Sequence, residues 1–175
     1  GRPYRAAIKL LTRKPPTNDA PGESLQHPAE STVEAACRIG SSLDGEVLAI
    51  QGPPGTGKTY TGGEMICELI RQGKKVGVTA VSHKVIINLM ERALKAAKEK
   101  GIKVDCIHKS SGEYIGDQEI EYCAAYPPIL EGLESGQVNL VGGTAWQWSR
   151  EDFVQSVDVL FVDEAVGAAA GRIKI

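Results

Sequence analysis

The chain has 175 residues, 42% of them apolar and 24% charged, with 20 Lys+Arg against 22 Asp+Glu for a formal charge of −2. That composition describes one soluble domain with material for a real core, and its near-neutral charge excludes a globally basic nucleic-acid binder, so any such surface must be local. No apolar run reaches bilayer length, the basic start GRPYRAAIKLLTRK is too interrupted for a signal peptide, and Cys37, Cys67, Cys106 and Cys123 form no CxxC. Membrane spans, zinc sites and disulfide scaffolds are therefore excluded in favour of a reducing cytoplasm.

In chain order, residues 4–13 predict a short amphipathic helix with Ala6, Ala7, Leu10 and Leu11 on one side. The Pro-rich stretch KPPTNDAPGESLQHP then reads as a linker, so 1–29 form an N-terminal helix and linker. A helix follows over 30–42, capped near Ser31–Thr32 and ending near Gly40. Residues 47–50 are a buried-strand signal, followed by a glycine-rich loop and a helix over Lys58–Arg71. Val76–Thr79 is a second strand. Ser82 is placed to cap the helix His83–Lys100, whose Ile86, Leu89, Met90 and Leu94 form an apolar stripe that Gly101 stops. A weaker strand lies at 104–107, and 109–128 carry no clear period. Pro127 and Pro128 break what precedes 129–133, and 138–141 and 157–162 supply two more strands. Alternating strands and helices, with strands apolar throughout, predict an α/β fold: a mainly parallel sheet covered on both faces, in three layers, over 30–165.

Gly52-Pro53-Pro54-Gly55-Thr56-Gly57-Lys58-Thr59 fits G-x-x-x-x-G-K-[ST] at every fixed position, between a predicted strand and a predicted helix. Glycines let backbone N–H groups turn inward around phosphates, and the helix start adds its positive dipole end. Lys58 is expected to reach the β- and γ-phosphates of ATP, and the Thr59 hydroxyl to ligate Mg²⁺, with Tyr60 next in the nucleotide-binding run. Gly62 and Gly63, each about 1 kcal/mol unfavourable in a helix, read as close packing rather than chemistry. At the other end, the apolar strand 157–162 runs into Asp163-Glu164. Asp163 suits a metal held through water, and Glu164 suits the base that polarises the attacking water. Asp158 precedes the strand core and reads as an ordinary strand-start residue.

Lys58 and Asp163 stand about one hundred positions apart, with at least two strand candidates between them. Chaperone-like AAA+ ATPases share GPPGTGKT but reach their acidic strand sooner. The NKxD motif of small GTPases and the arginine-bearing lid of nucleoside kinases are absent from the sequence. IQGPPGTGKTYT, VGVTAVSHKVIINLM, VNLVGGTAWQW and VDVLFVDEA resemble motifs I, Ia, Ic and II of superfamily 1 helicases of the 5′→3′ branch. More narrowly, they resemble bacterial proteins that fuse a RecB-like nuclease to such a helicase.

The resemblance implies a first RecA-like lobe that hydrolyses ATP with Mg²⁺ on single-stranded DNA or RNA. It places Ser82, His83 and Thr144 at contacts to the strand's backbone, where short hydroxyls suit phosphates. For Ser82 a helix cap is an equal reading. Trp146 and Trp148 suit either base stacking or packing, while Lys95, Lys98 and Lys100 read as a solvated helix face and His27 and His108 receive no role. Three departures stand out. The stretch PAESTVEAACRIG lacks the family's adenine-reading glutamine, Gln26 lying upstream in the linker. The tail 166–175 resembles no helicase motif. The second lobe, expected in a full-length parent, is not in the chain; its arginine is worth about 10³–10⁵ in rate. The alternative function is a non-catalytic or partner-dependent nucleotide-binding module.

Overall fold

A computed structural model describes residues 5–12, 16, 24–112, 119–163 and 173–174. The chain divides into two compact units, one of 1–61 with 166–175 and one of 62–165.

In the first unit, α1 (Arg5–Leu11) is the predicted first helix, but its apolar side is not buried: Leu11 is 83% exposed. Charge tethers it instead, Arg5 and Lys9 both reaching the carboxylate of Glu46. Helix α2 (Thr32–Ser42) begins with a full capping box: Glu34 N–H donates to Ser31 Oγ at 3.2 Å, and Ser31 N–H donates to Glu34 Oε2 at 2.8 Å. It runs past Gly40, which is buried within it. The Arg38 guanidinium makes a fork on Glu30, 2.8 Å to each carboxylate oxygen, and also donates to the Leu25 carbonyl, so the linker's end is tied to the helix. That fork holds the Glu30 carboxyl down at about 2.

Strand β1 is only Ile50–Gln51, shorter than predicted. It is defined by parallel pairing with β7 (Ile173–Lys174), a ladder of two residue pairs. Apart from those two residues, the tail 166–175 lies outside the described residues. Helix α3 (Lys58–Arg71) contributes its first turn to this unit.

The second unit holds β2 (Val76–Thr79), α4 (His83–Lys100), β3 (Cys106–Lys109), β4 (Ile120–Cys123), α5 (Pro127–Ser135), β5 (Leu140–Gly142), α6 (Ala145–Trp148) and β6 (Val159–Val162). Five strands make one all-parallel sheet in the order β4-β3-β5-β2-β6. Successive side chains alternate between its faces. On one face Val76, Val78, Leu140 and Cys106 pack with Ile86, Leu89, Met90 and Leu94 of α4 and Ile66 and Leu69 of α3. On the other, Ile107 and Val141 pack with Ile129 and Leu133 of α5, Phe153 and Trp148. Sheet and two helical layers give the predicted three-layer α/β lobe, and coverage of both faces is why the strands read as continuous apolar runs.

Strand β4 was not legible. It lies where the sequence shows no period, and only its first residue, Ile120, is buried. Pro127 and Pro128 do break what precedes them, by opening α5. The stripe on α4 is buried as predicted, with Ser82 Oγ accepting from Val85 N–H and Gly101 left-handed at φ 66°. Lys100 departs from the solvated reading: its ammonium sits 2.7 Å from the carboxylate of buried Glu64.

Gly63 is where α3 presses closest on α4. A Cβ there would lie 2.6 Å from Arg92 Cγ and 3.0 Å from the Arg92 carbonyl carbon. Backbone cannot swing aside as a side-chain tip can. Gly63→Ala gains about 1 kcal/mol of helix propensity, but overpacking of this kind costs about 1–3 kcal/mol. We expect a net loss, seen as a lower urea midpoint; an unchanged or higher midpoint would show that the helices part freely.

Candidate phosphate-binding site

Residues 52–57 lead from β1 into α3. The turn is closed by Thr56, whose hydroxyl donates to the Pro53 carbonyl at 2.8 Å. Gly55 and Gly57 take φ of 82° and 87°, the left-handed region that a side chain resists. A Cβ at either would touch nothing within 4 Å, so glycine is required here by conformation and not by space. Lys58 curls back over the loop: its ammonium donates to the carbonyls of Gly52 at 2.7 Å and Pro53 at 2.9 Å. Pro53, Pro54, Gly55, Thr59 and Tyr60 are exposed, and Gly52 is half-buried. The first-turn N–H groups of α3 have no intrahelical partner by geometry. An ammonium, a string of backbone donors and a helix start thus converge on one concave turn, the donor set an anionic oxygen cluster requires. Gln26 lies apart from that set, its amide donating to the Glu30 carbonyl at 2.6 Å.

In the second unit, the remaining sequence-predicted residues gather at the carboxyl ends of adjacent parallel strands, where α/β sheets bind ligands. Asp163 follows β6, is half-buried, and donates its N–H to the Thr79 carbonyl at 2.9 Å. Glu164 lies outside the described residues. Asp158 is the strand-start residue expected, its carboxylate accepting from Lys75 N–H at 2.7 Å. Ser82 and His83 follow β2. Thr144 follows β5, half-buried at the start of α6, where its side chain makes no capping hydrogen bond. Because β2 and β5 are neighbours in register, Val78 opposite Gly142, these residues leave the sheet at the same edge.

The two tryptophans separate cleanly. The Trp148 ring crosses Gly77 on β2, where a Cβ would lie 2.5 Å from Cη2, and its indole N–H donates to the Gly143 carbonyl at 3.1 Å. Trp146 is 81% exposed. Spacing could not distinguish them. Only a sheet face on one side and solvent on the other decides which ring is core.

Sequence reasoning missed His108 altogether. It is fully buried on β3, with Nε2 2.8 Å from Nδ1 of His83 and the two rings edge to face at 5.0 Å. Burial, then the neighbouring His83, pushes His108 down to about 4. No local pattern signals a pair separated by a whole helix. Gln147, also missed, is 1% exposed with no hydrogen-bond partner for its amide among the described residues.

Residues 27–118, more than half of the chain, match the AAA domain family (AAA_11). The chain belongs to that family. The matched part of this AAA domain contains the phosphate loop, α4 and β3. Curated relatives add shorter matches, each to a protein named DNA-binding protein SMUBP-2. The Rattus norvegicus protein is 46% identical over 54 residues, covering 31% of this chain and 6% of that relative. The Mesocricetus auratus protein is 49% identical over 47 residues, 27% of this chain and 5% of the relative. The chain's match therefore spans only a small fraction of the relatives' length. Among the described residues no helix is long and apolar enough to cross a membrane.

Proposed function

We propose that this AAA domain is the ATP-binding motor lobe of a superfamily 1 helicase, acting on single-stranded DNA or RNA in the cytoplasm. One observation carries the reading: the phosphate loop, with Gly55 and Gly57 left-handed and the Lys58 ammonium already drawn over the turn. Backbone donors of the loop and of the first turn of α3 bind the phosphate chain, and Lys58 exchanges two carbonyl partners for phosphate oxygens. On the order of the motifs we assign Thr59 and Asp163 to Mg²⁺, whose charge would offset that of the phosphates, and Glu164 to orienting the attacking water. The interval between loop and acidic strand disfavours a ring-forming remodelling ATPase, since β2, β3, β4 and β5 all intervene between β1 and β6. The name of the SMUBP-2 relatives supports nucleic acid as the partner. The finer kinship, to helicases fused with RecB-like nucleases, rests on the motif wording. We further propose that a second RecA-like lobe of the parent protein supplies the arginine needed for full turnover.

The strand surface is assigned to Ser82, His83, Thr144 and exposed Trp146, where β2 and β5 end. Stacking of one base on such a ring is worth about 1–3 kcal/mol. Oligo(dT) is therefore expected to quench the tryptophan emission, with Trp146→Ala losing the quench and weakening binding about ten-fold. Binding unaffected by Trp146→Ala would remove the ring from the surface. No binding of oligo(dT) or oligo(U) by a chain that still takes up ATP would favour a nucleotide-binding module of another kind.

A further inference from the structure

The His83–His108 pair joins an accessible residue to an inaccessible one. His83 is half-buried at the first position of α4, while His108 is fully buried on β3. Only His83 can exchange protons or partners with the outside. His108 is surrounded by Tyr122 of β4, edge to face at 5.9 Å, by Gly142 of β5, and by Ile86 and Met90 of α4, which approach the same glycine. The groups facing it that carry or take charge are His83, Lys109 next to it in β3, and Tyr122; Lys84 follows His83 in α4. No carboxylate is among them.

These surroundings fix where the protons sit. Burial keeps the His108 ring neutral through the physiological range, and its hydrogen bond to the Gly142 backbone places its one proton on Nδ1, the nitrogen on the Gly142 side. The Nε2 of His108 is then an acceptor, and at 2.8 Å it takes its hydrogen bond from His83 Nδ1–H. His83 is thereby held with its proton on Nδ1. In the neutral form its other nitrogen, Nε2, has a lone pair and no proton to donate. A phosphate oxygen only accepts, so neutral His83 has nothing to offer it. Adding a proton gives a charged ring with an Nε2–H donor.

We propose that His83 is a proton-linked contact for a nucleic-acid phosphate, and that His108 is the positioning residue that imposes the linkage by holding the Nδ1–H tautomer. The inference rests on the reading of this edge as the strand surface and adds to it a condition: each strand bound through His83 takes up one proton. The balance is simple, since the proton comes from solvent, enters at Nε2, and returns on release. A histidine without the buried partner would move its proton to Nε2 and meet phosphate while neutral. Removing His108 therefore relaxes the pH dependence without removing the contact.

The test is oligo(dT) binding by fluorescence anisotropy at constant ionic strength, from about pH 8 to about pH 6, with ATP-analogue binding followed in parallel. The chain has 3 histidines, and His27→Gln serves as the control for the one outside the pair. One linked proton permits at most about a ten-fold gain per pH unit, and we expect about a three- to thirty-fold gain across the range in the parent and in His27→Gln. The gain should fall below about two-fold in His83→Gln and in His108→Phe, with His108→Phe still binding at the alkaline end. His108→Gln, which restores an acceptor, should recover part of it. Because a buried position can fail to fold when changed, the ring-nitrogen NMR spectrum of the parent at about pH 8 is the second readout, with His83 expected protonated at Nδ1. Oligo(dT) affinity independent of pH, a gain unchanged in either variant, or His83 found protonated at Nε2 would overturn the proposal and leave the strand surface standing. Failure to bind oligo(dT) at every pH, with ATP still bound, would overturn the strand surface and this inference together.

Discussion

Lys58→Ala is expected to weaken ATP binding about ten- to a hundred-fold while leaving the chain folded. The size follows from what the side chain does. Its ammonium makes two charge-assisted hydrogen bonds to the loop carbonyls of Gly52 and Pro53, and these are the partners phosphate oxygens replace. A bond of that kind is worth about 1.5–3 kcal/mol when one partner is charged. The half-buried stem touches the loop and not the core, so the variant should retain the parent's circular dichroism and urea midpoint. Titration with a fluorescent ATP analogue gives the affinity, and equal affinity in variant and parent would sink the nucleotide site. Glu164→Gln provides the complementary case, with binding kept and residual turnover lost, since an amide cannot take the proton of the attacking water. Equal turnover would free Glu164 of that role.

Glu64→Ala is expected to cost about 2–4 kcal/mol of stability, the largest loss among the single changes considered. Glu64 lies on α3 with its side chain 8% exposed, and its two oxygens are divided between Arg92 at 2.9 Å and Lys100 at 2.7 Å, both on α4. Arg92 is 16% exposed, so cutting Glu64 to alanine strands a guanidinium against a helix with nothing to balance it. A broken buried pair costs about 3–5 kcal/mol; the half-exposed Lys100 arm adds little, which sets the lower figure. In a chain of this length that is a fall in Tm of about 5–15 °C. The double change Glu64→Leu with Arg92→Met should recover most of the loss, because apolar side chains of similar volume fill the seam without stranding a charge. A loss below about 0.5 kcal/mol in Glu64→Ala would mean that Arg92 finds water without cost.

Gly63 and Glu64 show how sequence and structure divide the information. That adjacent glycines in a helix mean close packing was legible, because glycine has no other advantage there. Which helix approaches was not, because Arg92 is remote in sequence and any helix could have filled the place. The same division holds at the phosphate loop. Its spacing alone identified Lys58 and Thr59, since the chemistry is carried by contiguous residues whose conformation glycine and the following helix dictate locally. The strand-end residues were legible as positions, Ser82 as a cap and Asp163 as a strand terminus, and Ser82 does cap α4.

The sequence by itself determined the α/β alternation, the phosphate loop, the capped α4 with its apolar stripe, and the start of α5 at its prolines. Each depends on interactions within a turn or two of chain, where periodicity and backbone restriction leave little choice. Only the tertiary structure decided the strand order, the existence of β4, the separate fates of Trp146 and Trp148, and the meeting of His83 with His108. Those depend on which strands lie side by side and on which face of the sheet a residue points. A parallel sheet sets both through helical crossovers, so residues 25 positions apart share a hydrogen bond that no local pattern contains.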